Sequence, residues 1–293
     1  MSTSAETAPR LNWSTASRLI RLPSQTGTWL LMLPALWALV LSSQGVPPWP
    51  LLLIFMLGSF VMRSAGVVLN DLADRSFDRH VARTRQRPLA SGDMSPRQAL
   101  IVLAALLAVA ALLVLQLNTL TVLLSPVALV LAALYPFAKR VVHLPQAVLG
   151  VAFGWGTIMA WSASRGRIDG AAWLMFAATI CWAVAYDTIY ALQDRDDDRR
   201  IGVKSSALLF GSGTWLAIGA ACAMMLLLLG IAAGTVGVGR TAYGMLAVVG
   251  LWFAKQVNEI RRPVSPARAF ELFRQHAWIG TVILGGFLLG FLW

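Results

Sequence analysis

The chain has 293 residues, 58% of them hydrophobic and only 13% charged, with a mean hydropathy of +0.69. A soluble domain of that length has too little interior for so much apolar surface, so the composition excludes the ordinary soluble and disordered classes. The net charge of +11 would suit a nucleic-acid binder, but no basic and aromatic module accompanies it, and its distribution answers to a membrane instead.

In chain order, residues 1–26 form a cytoplasmic or interfacial N-terminal segment. Within it Leu11–Leu22, carrying Trp13, Arg18 and Arg21, reads either as an amphipathic helix along the membrane surface or as a disordered tail. Arg18 and Arg21 precede the apolar run Trp29–Leu41. Because further spans follow, that run is expected to be a first span and not a cleaved leader. Residues 27–293 are expected to form one all-α membrane domain. Nine apolar runs, near 27–43, 50–69, 97–117, 119–137, 143–162, 170–192, 210–234, 239–257 and 276–293, are long enough to cross about 30 Å of hydrocarbon. With the N-terminus cytoplasmic, every Lys and Arg except Arg63, Arg165, Arg167 and Arg240 falls on the cytoplasmic side, as the positive-inside rule expects of an integral membrane protein. Anionic lipid and phosphorylated substrates are the expected partners, not nucleic acid. Cys181 and Cys222 lie inside spans without a CxxC or Cys/His cluster, which argues against disulfides and zinc.

Nearly all acidic residues gather in two places, Asn70–Asp93 after the second span and Asp187–Asp198 at the end of the sixth. Both spans run outside to inside, so both clusters emerge on one face. They lie four spans apart, but the halves share little beyond Leu69-Asn70-Asp71 beside Ala185-Tyr186-Asp187, and an internal duplication stays open. At 100° per residue, Arg63, Asn70, Asp71, Asp74 and Asp78 fall within an arc of about 100° on one helix. Asp187, Tyr190, Asp194 and Asp198 fall within about 80° on another. Two facing helices would thus present two carboxylate stripes to one cavity, and ionisable groups continuing into an apolar helix usually mark a site. Asp93, Asp196 and Asp197 read instead as solvated residues paired with neighbouring Arg.

Carboxylates this close repel one another unless a cation sits between them. Hard oxygen ligands without His or Cys select Mg²⁺, which prefers one or two carboxylates plus waters and substrate phosphates. The pattern therefore predicts a diphosphate bridged by two ions. Flanking cations agree: Arg79, Arg83 and Arg87 repeat every four residues, Arg199, Arg200 and Lys204 follow the second stripe, and Lys139 and Arg140 end the fourth span.

The first motif, Asn70-Asp71-x-x-Asp74-x-x-x-Asp78-Arg79, runs on into Arg83-Thr84-x-x-Arg87-Pro88-Leu89-Ala90-Ser91-Gly92. The second is Tyr186-Asp187-Thr188-Ile189-Tyr190-Ala191-x-Gln193-Asp194-x-x-Asp197-Asp198, followed by Gly202-Val203-Lys204-Ser205. Together they resemble the UbiA family of intramembrane prenyltransferases, and the second motif resembles its 4-hydroxybenzoate polyprenyltransferase branch. The resemblance covers roughly residues 25–293; Phe273-Arg274-Gln275-His276 departs from it, since relatives often carry Asn in place of His276, and Arg262-Pro263 is also atypical.

The resemblance implies nine spans, a cytoplasmic site, and loss of diphosphate from an allylic polyprenyl diphosphate. The ring of 4-hydroxybenzoate would then attack ortho to its hydroxyl, as in ubiquinone biosynthesis. Asp71, Asp74, Asp194 and Asp198 are the first-choice carboxylates for catalysis and metal, with Asp78 as a further ligand and Asn70 in support. Arg79, Arg83, Lys139 and Lys204 are expected at the phosphates, and Asp187 and Tyr190 at the substrate. Phe153, Trp155 and Tyr190 are candidates to stabilise the allylic cation, with packing as the favoured role for Phe153. Gly150, Gly154 and Gly156 let either the isoprenoid tail or a neighbouring helix approach. Arg63, about 10 Å deeper than Asn70 on the same face, either binds the benzoate carboxylate or neutralises Asp187. His80, His143 and His276 are expected at the interface without catalytic duty. A secondary transporter with Arg63 and Asp187 as a coupling pair explains the hydropathy but not the clustering at one face.

Overall fold

The computed structural model describes residues 12–81, 84–202 and 204–292; the side chains of Lys139, Asp196, Asp197 and Ile201 also lie outside the described set. Among the described residues the fold is helical throughout. Helix α1 (Trp13–Leu19) is capped by Asn12, whose side chain accepts from the Thr15 N–H at 2.7 Å. It does not lie out on lipid alone. Leu19 packs with Ala65, Val68, Leu89 and Met94, and Arg18 pairs with Asp93 at 2.8 Å, holding that carboxyl below its usual range.

Helix α2 (Thr26–Ser43) is the central post of the bundle, with Leu30 and Met32–Ser42 buried. Helix α3 (Trp49–Asp78) has 30 residues, about 45 Å at 1.5 Å per residue, so it outruns the hydrocarbon and carries its last turns beyond the expected 50–69. The short α4 (Pro88–Ser91) leads to α5 (Pro96–Val114), which begins with a Ser95/Gln98 capping box. Then come α6 (Thr119–Val141), α7 (Pro145–Arg165) and α8 (Gly170–Ala191). Glycines set the α7–α8 distance: a Cβ on Gly150 would stand 2.7 Å from the Ile180 Cα, and one on Gly154 2.9 Å from the Phe176 ring. Gly156, by contrast, faces the cavity described below. After α9 (Arg195–Ile201) and α10 (Ser206–Phe210), α11 (Thr214–Thr235), α12 (Arg240–Ile260) and α13 (Pro266–Gly290) complete the bundle.

Nine described helices have 18 residues or more. Eight stretches are long and apolar enough to cross a membrane. The exception, α12, carries Arg240, Lys255 and Glu259 but packs between α11 and α13. Helix α13 starts ten residues before the expected 276, because Ser265 caps it and Arg268 binds Glu259 at 2.6 Å and Glu271 at 2.7 Å. Hydropathy cannot see such a polar first turn. His276 therefore lies inside the bundle and not at the interface. It is fully buried, with Nδ1 accepting from the Trp182 indole at 2.9 Å, whereas His80 and His143 are exposed.

Candidate active site

One cavity of about 690 Å³ runs through the half of the bundle built by α2, α3, α5, α6, α7 and α8. Its polar end is set by the unbroken continuation of α3. Asp71, Asp74 and Asp78 are spaced three and four residues apart, so they share a face, and all three are buried. Asp187 and Tyr190 reach the same cavity from the last turns of α8. Here the expected second stripe is interrupted. Helix α8 stops at Ala191, the chain turns through Leu192–Asp194, and Asp198 sits on the separate helix α9. The turn still brings Asp194 and Asp198 to the cavity wall, so the two motifs converge although the single-helix geometry is wrong.

Arginines meet these carboxylates. Arg21 Nη2 donates to both oxygens of Asp71 at 2.9 Å. Arg87 Nη1 bridges Asp71 at 3.2 Å and Asp78 at 2.8 Å. Arg140 lies 3.6 Å from Asp74, held between the Phe77 and Phe137 rings and donating to the Ala73 carbonyl at 2.8 Å. Lys204 lines the cavity and donates to the Val141 carbonyl at 2.9 Å. Arg79 caps α3 but is exposed and does not line the cavity. Arg83 and the Lys139 side chain lie outside the described residues.

Among the described residues no three His, Cys, Asp or Glu side chains gather closely enough to hold an ion alone. The oxygen-only donors nonetheless suit Mg²⁺, which usually takes one or two carboxylates and completes its shell with water and phosphate. Asp71, Asp74, Asp78, Asp194 and Asp198 are the groups that could hold it.

Deeper in, Arg63 occupies space that Gly27 leaves open: a Cβ there would stand 2.7 Å from Nη2 and 2.9 Å from Cζ. Its Nε is buried without a hydrogen-bond partner, and no described ion pair joins it to Asp187. Asn70, Tyr135 and Tyr186 line the same stretch. Phe153 and Tyr190 border the cavity, joined by Phe270 and Phe273, the latter 4.8 Å from Tyr190 between ring centroids. Trp155 does not border it; its indole donates to the Leu124 carbonyl at 3.0 Å. Beyond Arg63 the walls become apolar, through Phe55, Gly58, Leu107, Ala128 and Met159. Along α3 the cavity reaches from Asp78 to Ile54, about 36 Å. Ala111 and Leu129 border both the cavity and the outer surface, so this arm opens sideways between α5 and α6.

Arg21, Tyr135, Gln146, Tyr186 and Phe270 are among the cavity residues that the candidate set omitted. The main local clue to Arg21 is its arginine charge near a membrane span. Its left-handed φ of 58°, unusual for a non-glycine residue, becomes visible only in the fold.

An α-helical membrane bundle with convergent carboxylates, flanking arginines and a lipid-facing apolar arm defines an integral membrane protein that handles an anionic, lipid-tailed ligand. The UbiA prenyltransferase family pattern matches residues 31–289, and the chain belongs to that family. It is 48% identical over 276 residues to a 4-hydroxybenzoate octaprenyltransferase of Chromohalobacter salexigens, covering 94% of this chain and 92% of that one. It is 46% identical over 269 residues to the Pseudomonas aeruginosa protein of the same name, covering 92% and 90%. The fold matches the apo structure of a UbiA homolog from Aeropyrum pernix with a TM-score of 0.76 at 29% identity, covering 89% of this chain and 97% of that one. It also matches a UbiA homolog from Archaeoglobus fulgidus bound to DMAPP and Mg²⁺, with a TM-score of 0.66 at 16% identity and coverages of 92% and 99%.

Because Arg87 bridges two buried carboxylates, Arg87→Met should destabilise the protein by about 3 kcal/mol in chelator. Mg²⁺ should recover part of that loss by supplying the missing positive charge. Thermal unfolding in detergent, with and without Mg²⁺, measures both effects.

Proposed function

We propose that this protein transfers a polyprenyl group from polyprenyl diphosphate to the ring carbon ortho to the hydroxyl of 4-hydroxybenzoate, releasing diphosphate, in ubiquinone biosynthesis. The observation that carries this reading is the single cavity joining two aspartate motifs, a deep arginine and an apolar arm open to lipid. The names borne by relatives at 46–48% identity over more than nine-tenths of the chain support it. The carboxylate end is assigned to the cytoplasmic side of a bacterial inner membrane, by the clustering of Lys and Arg.

In this reading Asp71, Asp74, Asp78, Asp194 and Asp198 are the residues that would hold Mg²⁺, two ions in the expected case, with the diphosphate. Bound there, magnesium supplies positive charge that stabilises the leaving diphosphate. Arg87 and Lys204 line the same end and Arg140 stands beside Asp74, with Lys139 and Arg83 as further phosphate contacts and Asn70 in support. The C1–oxygen bond of the allylic diphosphate breaks with its electron pair leaving on oxygen. The ring's π electrons then form the new carbon–carbon bond, and loss of the ring proton restores aromaticity. Tyr190, Phe270 and Phe273 offer π faces to the allylic cation, and the apolar walls keep water from it. The isoprenoid tail follows the arm and leaves between α5 and α6.

Arg63 is the clamp for the acceptor's carboxylate. A guanidinium holds a carboxylate by two parallel hydrogen bonds, fixing ring position as well as charge. Asp187 and Tyr190 frame the same acceptor pocket.

The test is an assay of membranes supplied with octaprenyl diphosphate, 4-hydroxybenzoate and Mg²⁺. Lipid-soluble product should form, vanish with excess chelator and return with Mg²⁺. In the same assay, Arg63→Ala should raise the KM for 4-hydroxybenzoate at least about tenfold and leave that for the diphosphate nearly unchanged. Full activity in chelator, or an unchanged aromatic KM, contradicts the corresponding part.

A further inference from the structure

The wall that α7 gives to the cavity is apolar except at one position. Leu149, Ala152, Phe153, Gly156 and Met159 line it at helical spacing, and Gln146 stands one turn before them. Gln146 is only 4% exposed, so it is not an interfacial residue reaching for water. Its side-chain oxygen is buried with no hydrogen-bond partner. An unmet acceptor in such a place costs on the order of 1–3 kcal/mol, and an unbranched apolar side chain would fill the same volume without that cost. Buried polar groups that the fold leaves unsatisfied are accounted for when a ligand satisfies them.

The chemistry of the proposed substrates narrows the ligand atom. An ionised diphosphate only accepts hydrogen bonds, and so does a carboxylate. The isoprenoid tail does neither. The phenol O–H of the acceptor is the one donor that either substrate brings into the cavity.

We propose that Gln146 is a specificity-determining residue, whose side-chain oxygen accepts the hydrogen bond of the acceptor's phenol. The inference rests on the aromatic-acid reading given above. It adds a second fixed point to the ring: Arg63 takes the carboxylate, Gln146 takes the para hydroxyl, and together they set which ring carbon meets the allylic cation. Ring attack places positive charge on the phenol oxygen, so this hydrogen bond strengthens as the reaction proceeds. A contact that is stronger in the transition state than in the ground state contributes to rate as well as to binding.

Tyr186 is the competing partner, since its hydroxyl is also buried, unpartnered and on the cavity wall. Binding calorimetry on the detergent-solubilised protein separates the two. Benzoate and 4-hydroxybenzoate share the carboxylate and differ only in the hydroxyl. The wild-type protein should bind 4-hydroxybenzoate about tenfold more tightly than benzoate, the worth of one well-placed buried hydrogen bond. Gln146→Met should abolish that ratio while leaving the benzoate affinity unchanged, which also shows that the variant is folded and that Arg63 still works. If Gln146→Met does not fold, Gln146→Asn, too short to reach the same point, should reduce the ratio in the same direction. A ratio that survives in the folded variant overturns the proposal, as does a ratio lost in Tyr186→Phe but kept in Gln146→Met. Failure of the wild-type protein to bind either acid would instead sink the aromatic-acid reading, and this inference with it.

Discussion

Asp71, Asp74 and Asp78 are 1%, 1% and 7% exposed on one face of a membrane helix, and carboxylates so placed are costly unless positive charge meets them. Much of the local architecture answers that demand. The turn after α1 brings Arg21 to Asp71, the segment before α4 brings Arg87 to Asp71 and Asp78, and the end of α6 brings Arg140 towards Asp74. Three separate stretches of chain are thereby drawn to one helix end. In the proposed reaction a metal–diphosphate pair enters this same balance, so the arginines serve both the resting site and the loaded one.

The second consequence is a division of labour along the cavity. Charge is concentrated at one end, where the protein can supply counter-charge, and the far arm of the 690 Å³ space is lined mostly by apolar side chains. In the proposed reaction, an allylic cation forming at the boundary would face the rings of Tyr190, Phe270 and Phe273, which border the cavity there. Arg63 is the exception that crosses the boundary, and Gly27 is what makes room for it. A side chain at position 27 would displace the guanidinium without touching any carboxylate.

The sequence made legible whatever depends on helical periodicity. The arc computed for Asn70, Asp71, Asp74 and Asp78 holds because α3 runs unbroken to Asp78. The same arithmetic misjudged the second motif, because α8 ends at Ala191 and no Gly or Pro announces the turn. The start of α13 was hidden by its polar first turns, where Arg268 is met by Glu259 and Glu271. His276 looked interfacial for the same reason, and its burial against Trp182 appears only once the helices are packed. Arg21 and Gln146 reach the cavity through tertiary contacts: 50 positions separate Arg21 from Asp71, and no local spacing encodes that.

The central claim is that two motifs far apart in sequence act as one charge-binding unit. A double-mutant cycle on prenyl transfer with Asp74→Asn and Asp194→Asn tests it most directly. Each single change should remove most activity, and the double change should cost little more than the worse single one. Losses that multiply in the double mutant would show two independent sites and contradict the account.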